Sequence, residues 1–439
     1  MYQTVAVLFA FVFAYSLVAA PLERSPIAGA LLFTTFGLAV GPAGLNIITP
    51  NAQAQILQRL AEFTLALVLF TDAANADLGV LRHSYAIPGR LLLIGLPLTI
   101  LLGFLVGALV LPELGLLGCA LLATMLAPTD AALGKAVVTN AAIPGPVREG
   151  LNVESGLNDG ICVPVLLIFL ALAAESDPGR HALDLAFHHF ATEIGVGLCV
   201  GVGLAVLGVP ALRFAGNHGW IDSAWRQLPA VALALTAFAA AQALGGSGFI
   251  GSFVGGLVAG GMARQRVVKH ELLLAAEGAG NVLALLTWVL FGAVVIAQVP
   301  QRLTWAVVVY AVLSLTAIRM VPVWLALAGT TLATDGKLFI GWFGPRGLAS
   351  VVFAVIVLAA DLPGSRTLTT TVAVTIILSI LAHGLTANPL SAAFARRATT
   401  ADAGQAGKTP SAAPEAGPGM NAASHQERQA VSADQAGRI

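Results

Sequence analysis

Apolar runs long enough to cross a bilayer recur from the first residues of this chain to about residue 395, and few folds can accommodate that. Each crossing needs about 20 apolar residues as helix. The chain is 57% hydrophobic and 10% charged, where a soluble domain carries about 25% charge. Its mean hydropathy is +0.87. The class is therefore an all-α polytopic membrane protein embedded in a lipid bilayer. A net charge of zero gives no reason to expect a nucleic-acid partner. Cys119, Cys162 and Cys199 all sit inside apolar runs, so neither a disulfide framework nor a metal cluster is expected. The first run, with its apolar core from Val5 to Ala20, lacks a preceding positive charge and is followed by Pro21-Leu22-Glu23-Arg24. It reads as an uncleaved first span rather than a signal peptide.

Thirteen spans are expected, at roughly 2–20, 26–42, 56–76, 88–111, 114–139, 150–174, 186–214, 225–244, 247–264, 271–299, 303–329, 337–360 and 366–395. The loops test the count. Those after odd spans hold Arg24, Arg82, Arg90, Arg148, Arg213, Arg226, Arg264, Arg266, Lys269 and Lys337, with Arg396 and Arg397 after the last. Loops after even spans hold only Arg180, Arg302 and Arg366. Positive charge stays inside, so the N-terminus is expected outside and the C-terminus in the cytoplasm. Residues 398–439 turn to Ala, Gly, Ser, Thr, Pro and Gln and read as a disordered cytoplasmic tail, leaving 1–397 as the transmembrane domain.

An odd total suggests two inverted six-span repeats around a middle span. Span 5 then corresponds to span 12. Both carry helix breakers in mid-membrane: Pro128-Thr129-Asp130 in one, Gly341-Trp342-Phe343-Gly344-Pro345-Arg346-Gly347 in the other. Paired interruptions of this kind point to a substrate site. Pro128 removes an N–H, and the carbonyl it frees, with Thr129, is expected to help ligate a desolvated cation.

The acids inside the spans carry the chemistry. A carboxylate at bilayer depth costs several kcal/mol, roughly 2.5–3.5, and is rare unless it has a role. Asp130 lies at the first break. Asp159 lies well inside span 6, with Ser155 four residues earlier on the same helical face. Glu154 and Asn158 share the adjacent stripe. Helix capping accounts for an acid near the start of span 6 but poorly for Asp159. Asp130 and Asp159, with Thr129 and Ser155, are therefore the candidate cation and proton ligands. Arg319, deep in span 11, needs a buried partner, and Glu154 is the preferred one. Arg346 either counters the acidic site or satisfies carbonyls at the breaks. In span 3, Asp72 is a weaker candidate for an entry funnel, Glu62 is a further acid in the span, and Asn75 and Asp77 read as solvated. Gln242 and Asn281 are weak candidates. His383 reads as a packed structural residue, and Gly251 to Gly255 as a close helix contact.

These motifs resemble the sodium/proton antiporters of the monovalent cation–proton antiporter superfamily, in the NhaP/NHE-like branch. The matching residues are Pro128-Thr129-Asp130, Glu154-Ser155-Gly156-Leu157-Asn158-Asp159-Gly160, Arg319, Gly344-Pro345-Arg346-Gly347 and His383-Gly384-Leu385-Thr386. The resemblance covers about residues 1–397. It implies the Na+/H+ antiporter fold, a homodimer in the cell's inner membrane, a mobile core of spans 4–6 and 11–13, elevator-like alternating access and a part in pH homeostasis. It makes Asp159 the main cation and proton carboxylate, with Thr129, Asp130 and Ser155 completing a Na+ site. Glu154, Arg319 and Arg346 become structural charges, and Asn158 a residue tied to stoichiometry. Ala131 departs from the pattern, since many relatives have proline there.

The expected mechanism is competition. Asp159 holds a proton or a partly dehydrated Na+, Li+ or K+, not both, so loading one releases the other. With Glu154 neutralised by Arg319, the two loaded states carry equal charge, and exchange is expected to be electroneutral. No cofactor is needed beyond the transported ions, and no enzyme activity is expected. The rival reading is an intramembrane aspartyl protease using Asp130 and Asp159, but the chain lacks a Gly-x-Gly-Asp motif and that reading leaves the buried arginines without a role. A channel or organic-anion transporter is disfavoured by the acids at the site.

Overall fold

The computed structural model describes residues 2–23, 29–48, 50–76, 86–130, 133–174, 180–222, 225–263 and 266–406. Every regular element among them is helical. The helices are α1 (Tyr2–Glu23), α2 (Gly29–Val40) and α3 (Pro50–Asn75), then α4 (Ala86–Val110), α5 (Gly115–Met125), α6 (Lys135–Val138) and α7 (Gly145–Ala174). They continue with α8 (Arg180–Asn217), α9 (Leu228–Ala243), α10 (Gly248–Met262) and α11 (Arg266–Val294). The last are α12 (Trp305–Leu315), α13 (Ala317–Ala326), α14 (Thr334–Trp342), α15 (Leu348–Ala359) and α16 (Ser365–Ala406).

Helix lies in each of the ranges read from the sequence. Among the described residues, seven helices are long and apolar enough to cross a membrane by length and composition, and five more are apolar but only 10–17 residues long. Local chemistry explains several ends. Ser247 accepts the Ile250 N–H at the start of α10, and Thr304 accepts that of Val307 at the start of α12. Pro97 has no N–H to give α4, and the helix widens just before it into a π turn over Leu91–Gly95. The last helix runs past the expected boundary at 397, to Ala406. The remainder of the tail, together with Asp77, Arg82 and Ala131, lies outside the described residues.

Packing runs along a few close contacts. α3 packs on α10, α11 and α7, α10 on α8, α11 on α2, and α4 on α5 and α13. At the α8–α10 crossing, a Cβ on Gly201 would meet the Gly251 carbonyl at 2.5 Å, so the Gly251 to Gly255 pattern serves close backbone approach. α15 is enclosed almost all round, with Val351, Val352, Phe353, Ala354 and Val357 fully buried. A helix apolar on every side and shielded from lipid belongs at the centre. Its N-terminus faces the candidate site.

Candidate functional site

Two interrupted helices meet in the middle of the molecule. Between α5 and α6 the chain leaves helix at Leu126 and stays irregular through Asp130. Between α14 and α15 it does so from Phe343 to Gly347. The breaks are joined directly: the Asp130 N–H donates to the Pro345 carbonyl at 2.8 Å. Pro128 has no N–H to give Thr124 O, the carbonyl four residues earlier. The last turn of α5 tightens, and the Ala127 N–H donates to Thr124 O at 3.3 Å.

Asp130 works on backbone. Its Oδ2 accepts the N–H of Leu348, the first residue of α15, at 3.0 Å, and its Oδ1 accepts that of Leu133 at 3.3 Å. A carboxylate at a helix N-terminus satisfies donors with no intrahelical partner and complements the helix dipole. The contact is close enough that a Cβ on Gly347 would fall inside the Asp130 carboxyl group.

Arg346 resolves in favour of carbonyls. It is fully buried, and its Nη1 donates to Ala127 O (2.9 Å) and Pro128 O (3.1 Å), its Nη2 to Ser314 O (3.4 Å). It therefore holds the break after α5 from the opposite break. Its own N–H donates to Ser379 Oγ at 2.7 Å. Ser379 Oγ in turn lies 3.1 Å from His383 Nδ1, and His383 Nε2 lies 2.8 Å from Trp342 O. His383 Nδ1 also lies 2.8 Å from the Ser379 carbonyl, so each ring nitrogen faces a backbone carbonyl oxygen. His383 is thus a packed residue pinning both sides of the second break to α16, as its place in the sequence suggested.

The third wall is α7. Thr129 Oγ1 lies 2.9 Å from Ser155 Oγ and accepts from Asn158 Nδ2 at 2.7 Å. The sequence reading set Asn158 on a stripe beside the cation face; here it bridges to Thr129 and belongs to the same polar cluster. Asp159 is 8% exposed and Asn158 is fully buried, and Oδ1 of each is buried with no hydrogen-bond partner among the described residues. Two orphaned acceptors in one apolar setting are expensive unless something positive visits them.

Glu154 and Arg319 form the expected pair. Arg319 Nη1 and Nη2 donate to Glu154 Oε1 and Oε2 at 2.5 and 2.8 Å, with both side chains 1% exposed. Gly344 makes room for it, since a Cβ there would stand 2.6 Å from Arg319 Nε and 3.1 Å from Thr129 Cγ2.

Asp72 earns more weight than the sequence assigned it. It is half-buried on α3, and a Cβ on Gly156 would stand 3.8 Å from its carbonyl and 3.9 Å from its own Cβ. It therefore faces α7 at Gly156, next to Ser155 in the chain. The signal was helical spacing: Asp72 is three and seven residues from Leu69 and Leu65, both buried. The weaker candidates fall elsewhere. Gln242 and Asn281 are exposed. Glu62 is held by Arg59 (2.9 Å) and Gln58 (3.0 Å), and Asn75 donates to Glu277 at 2.6 Å.

The family described as "Sodium/hydrogen exchanger, transmembrane" matches residues 7–393. The chain belongs to this family. Similar proteins include a K(+)/H(+) antiporter NhaP2 of Shewanella baltica, 25% identical over 81% of this chain and 58% of that protein. Another is a K(+)/H(+) antiporter NhaP of Alkalimonas amylolytica, 26% identical over 82% of this chain and 61% of that protein. The chain spans about three-fifths of the length of these relatives. Among solved structures, the sodium proton antiporter MjNhaP1 of Methanocaldococcus jannaschii at pH 8 superposes with a TM-score of 0.74 at 20% identity, over 89% of this chain and 98% of that one. The chain therefore has the Na+/H+ antiporter fold expected from its motifs.

Proposed function

We propose that this exchanger swaps a monovalent cation for a proton at Asp159, electroneutrally, and that neither a cofactor nor an enzymatic step takes part. The supporting observation is the pair of orphaned oxygens, Asp159 Oδ1 and Asn158 Oδ1; Asn158 is bonded to the Thr129–Ser155 hydroxyl pair, and Asp159 follows Ser155 by one helical turn on α7. Carboxylate, amide and hydroxyl oxygens are hard ligands suited to a small alkali cation. A proton on Asp159 neutralises the same charge that the cation would, so the two compete.

Charge balance supports one-for-one exchange. Glu154 cancels Arg319 within the protein, so cation-loaded and protonated carriers have equal charge. Na+ is the first candidate, with Li+ and K+ as alternatives, and K+ gains interest because similar proteins are named K(+)/H(+) antiporters. In the full reading the chain crosses the inner membrane thirteen times, with its N-terminus outside and its C-terminus in the cytoplasm. A homodimer holds a mobile core of spans 4–6 and 11–13, which moves as an elevator.

Asp130 takes a distinct role in this mechanism. Its carboxylate ties the second break to the first. The same contacts argue against the protease reading, because an acid dyad needs carboxyl oxygens free to share a proton and a water, and both of Asp130's accept backbone N–H groups.

The test is antiport in proteoliposomes with Na+, K+ and Li+, comparing wild type with Asp159→Ala and Asp159→Asn. Both variants are expected to lose exchange for every cation while remaining folded. Wild-type flux is expected to ignore an imposed membrane potential. Exchange by Asp159→Ala at the wild-type rate, or flux that climbs steeply with voltage, would defeat the proposal.

A further inference from the structure

A cavity of about 860 Å³ lies away from the ion site, between α3, α8, α9, α10 and α11. Small residues line it on separate helices: Gly208 and Gly216 on α8, Ala230 on α9 and Ala259 on α10 leave the space between them unfilled. The wall is mainly apolar. It opens where α3, α8 and α10 end and α9 and α11 begin, which is the side of the odd-numbered exits where the sequence concentrates positive charge.

The mouth is basic. Arg213 and Arg226 border it, and no acidic side chain lines the cavity among the described residues. Arg213 donates to the Met262 carbonyl at the rim, which holds its guanidinium there. Arg226 is exposed, with no side-chain partner among the described residues. Trp220 and Trp225 stand 70% and 65% exposed in the same α8–α9 connection, and exposed indoles gather between lipid tails and water. An apolar slot beneath two arginines and an aromatic rim matches one kind of molecule abundant at that depth.

We infer that this cavity is a binding site for an anionic glycerophospholipid, its acyl chain between α8, α9 and α10 and its phosphate on Arg213 and Arg226. Guanidinium groups suit phosphate recognition, and juxtamembrane basic groups draw anionic headgroups. The wall includes Phe70 and Ala74, which flank Asp72 on α3, so the bound lipid braces the helix that presents Asp72 to α7. The inference needs only membrane embedding, and its readout is lipid retention, so it stands or falls separately from the exchange reading.

The experiment is native mass spectrometry of the purified full chain after exposure to phosphatidylglycerol or phosphatidylcholine. Wild type is expected to retain phosphatidylglycerol preferentially. Arg226→Gln is expected to weaken that retention about fivefold, the equivalent of ~1 kcal/mol for one basic group. Ala232→Trp fills the cavity from an exposed lining position and is expected to abolish retention of either lipid without unfolding the chain. Lys337→Gln, far from the cavity in sequence and absent from its lining, is expected to change nothing. Equal retention of both lipids by wild type would overturn the inference. So would equal losses in Arg226→Gln and Lys337→Gln, or unchanged lipid with a shifted monomer–dimer ratio in Ala232→Trp, which would assign the cavity to a second copy of the chain.

Discussion

Glu154→Gln tests whether this part of the protein is held by charge or by shape. The pair is bidentate, at 2.5 and 2.8 Å, with both side chains 1% exposed, so neither partner can turn to water when the other is lost. Glutamine keeps the shape and one acceptor but removes the charge, leaving a buried guanidinium uncompensated. Breaking a buried pair from one side costs about 3–5 kcal/mol. The retained acceptor puts Glu154→Gln near the lower end. At ~2 °C per kcal/mol, thermal unfolding in detergent should fall by roughly 6 °C. Replacing both partners, as Glu154→Leu with Arg319→Met, is expected to recover most of that loss, because an apolar pair of similar volume needs no counter-charge. Fluorescence-detected thermal stability of wild type, Glu154→Leu, Arg319→Met and the double variant gives the coupling directly. The reasoning would be refuted if Glu154→Gln melted like wild type yet changed its cation preference, since Glu154 would then be a ligand and not a brace.

Three further outcomes follow from the breaks and the hydroxyl cluster. Gly347→Ala places a methyl group where the Asp130 carboxyl sits, so exchange should fall at least tenfold while the protein still purifies as a folded species; near-normal flux would show that the two breaks need not touch. Thr129→Val removes the hydroxyl shared by Ser155 and Asn158, at about 1–3 kcal/mol for the polar groups left unpaired, and should raise the half-saturating cation concentration more than it lowers maximal flux. Arg346→Gln uncovers the carbonyls of Ala127, Pro128 and Ser314 and should yield poorly folded protein; Arg346→Lys, which keeps the charge but loses the fork, should recover only part of the yield in size-exclusion profiles.

Much of the site was legible before any coordinates, and for one reason. In lipid a charge has to be explained, so every acid or arginine inside an apolar run advertised itself. Asp159, Asp130, Glu154, Arg319 and Arg346 stand out against a 10% charged background, and Glu154 with Arg319 could be paired by need alone. The helix breakers at Pro128 and Pro345 were equally visible, because proline cannot supply the helix its N–H.

Assignments that depend on which group reaches which across distant elements were not legible. Helical spacing placed Asn158 beside Glu154, yet the break after α5 brings Thr129 within 2.7 Å of its amide. Pro128 announced a freed carbonyl, but the tightened turn and Arg346, from more than two hundred residues away, occupy that region. The cavity beneath Arg213 and Arg226 has no signature in the chain, since it is made by glycines and alanines on separate helices failing to fill a space. Sequence alone determined the membrane class, the helical runs and the identity of the costly buried charges, because solvation energies belong to individual residues. Tertiary structure decided their partners, the use of Asp130 as a clasp between two breaks, and the orphaned oxygens at Asp159 and Asn158, because those depend on the crossing of helices far apart in the chain.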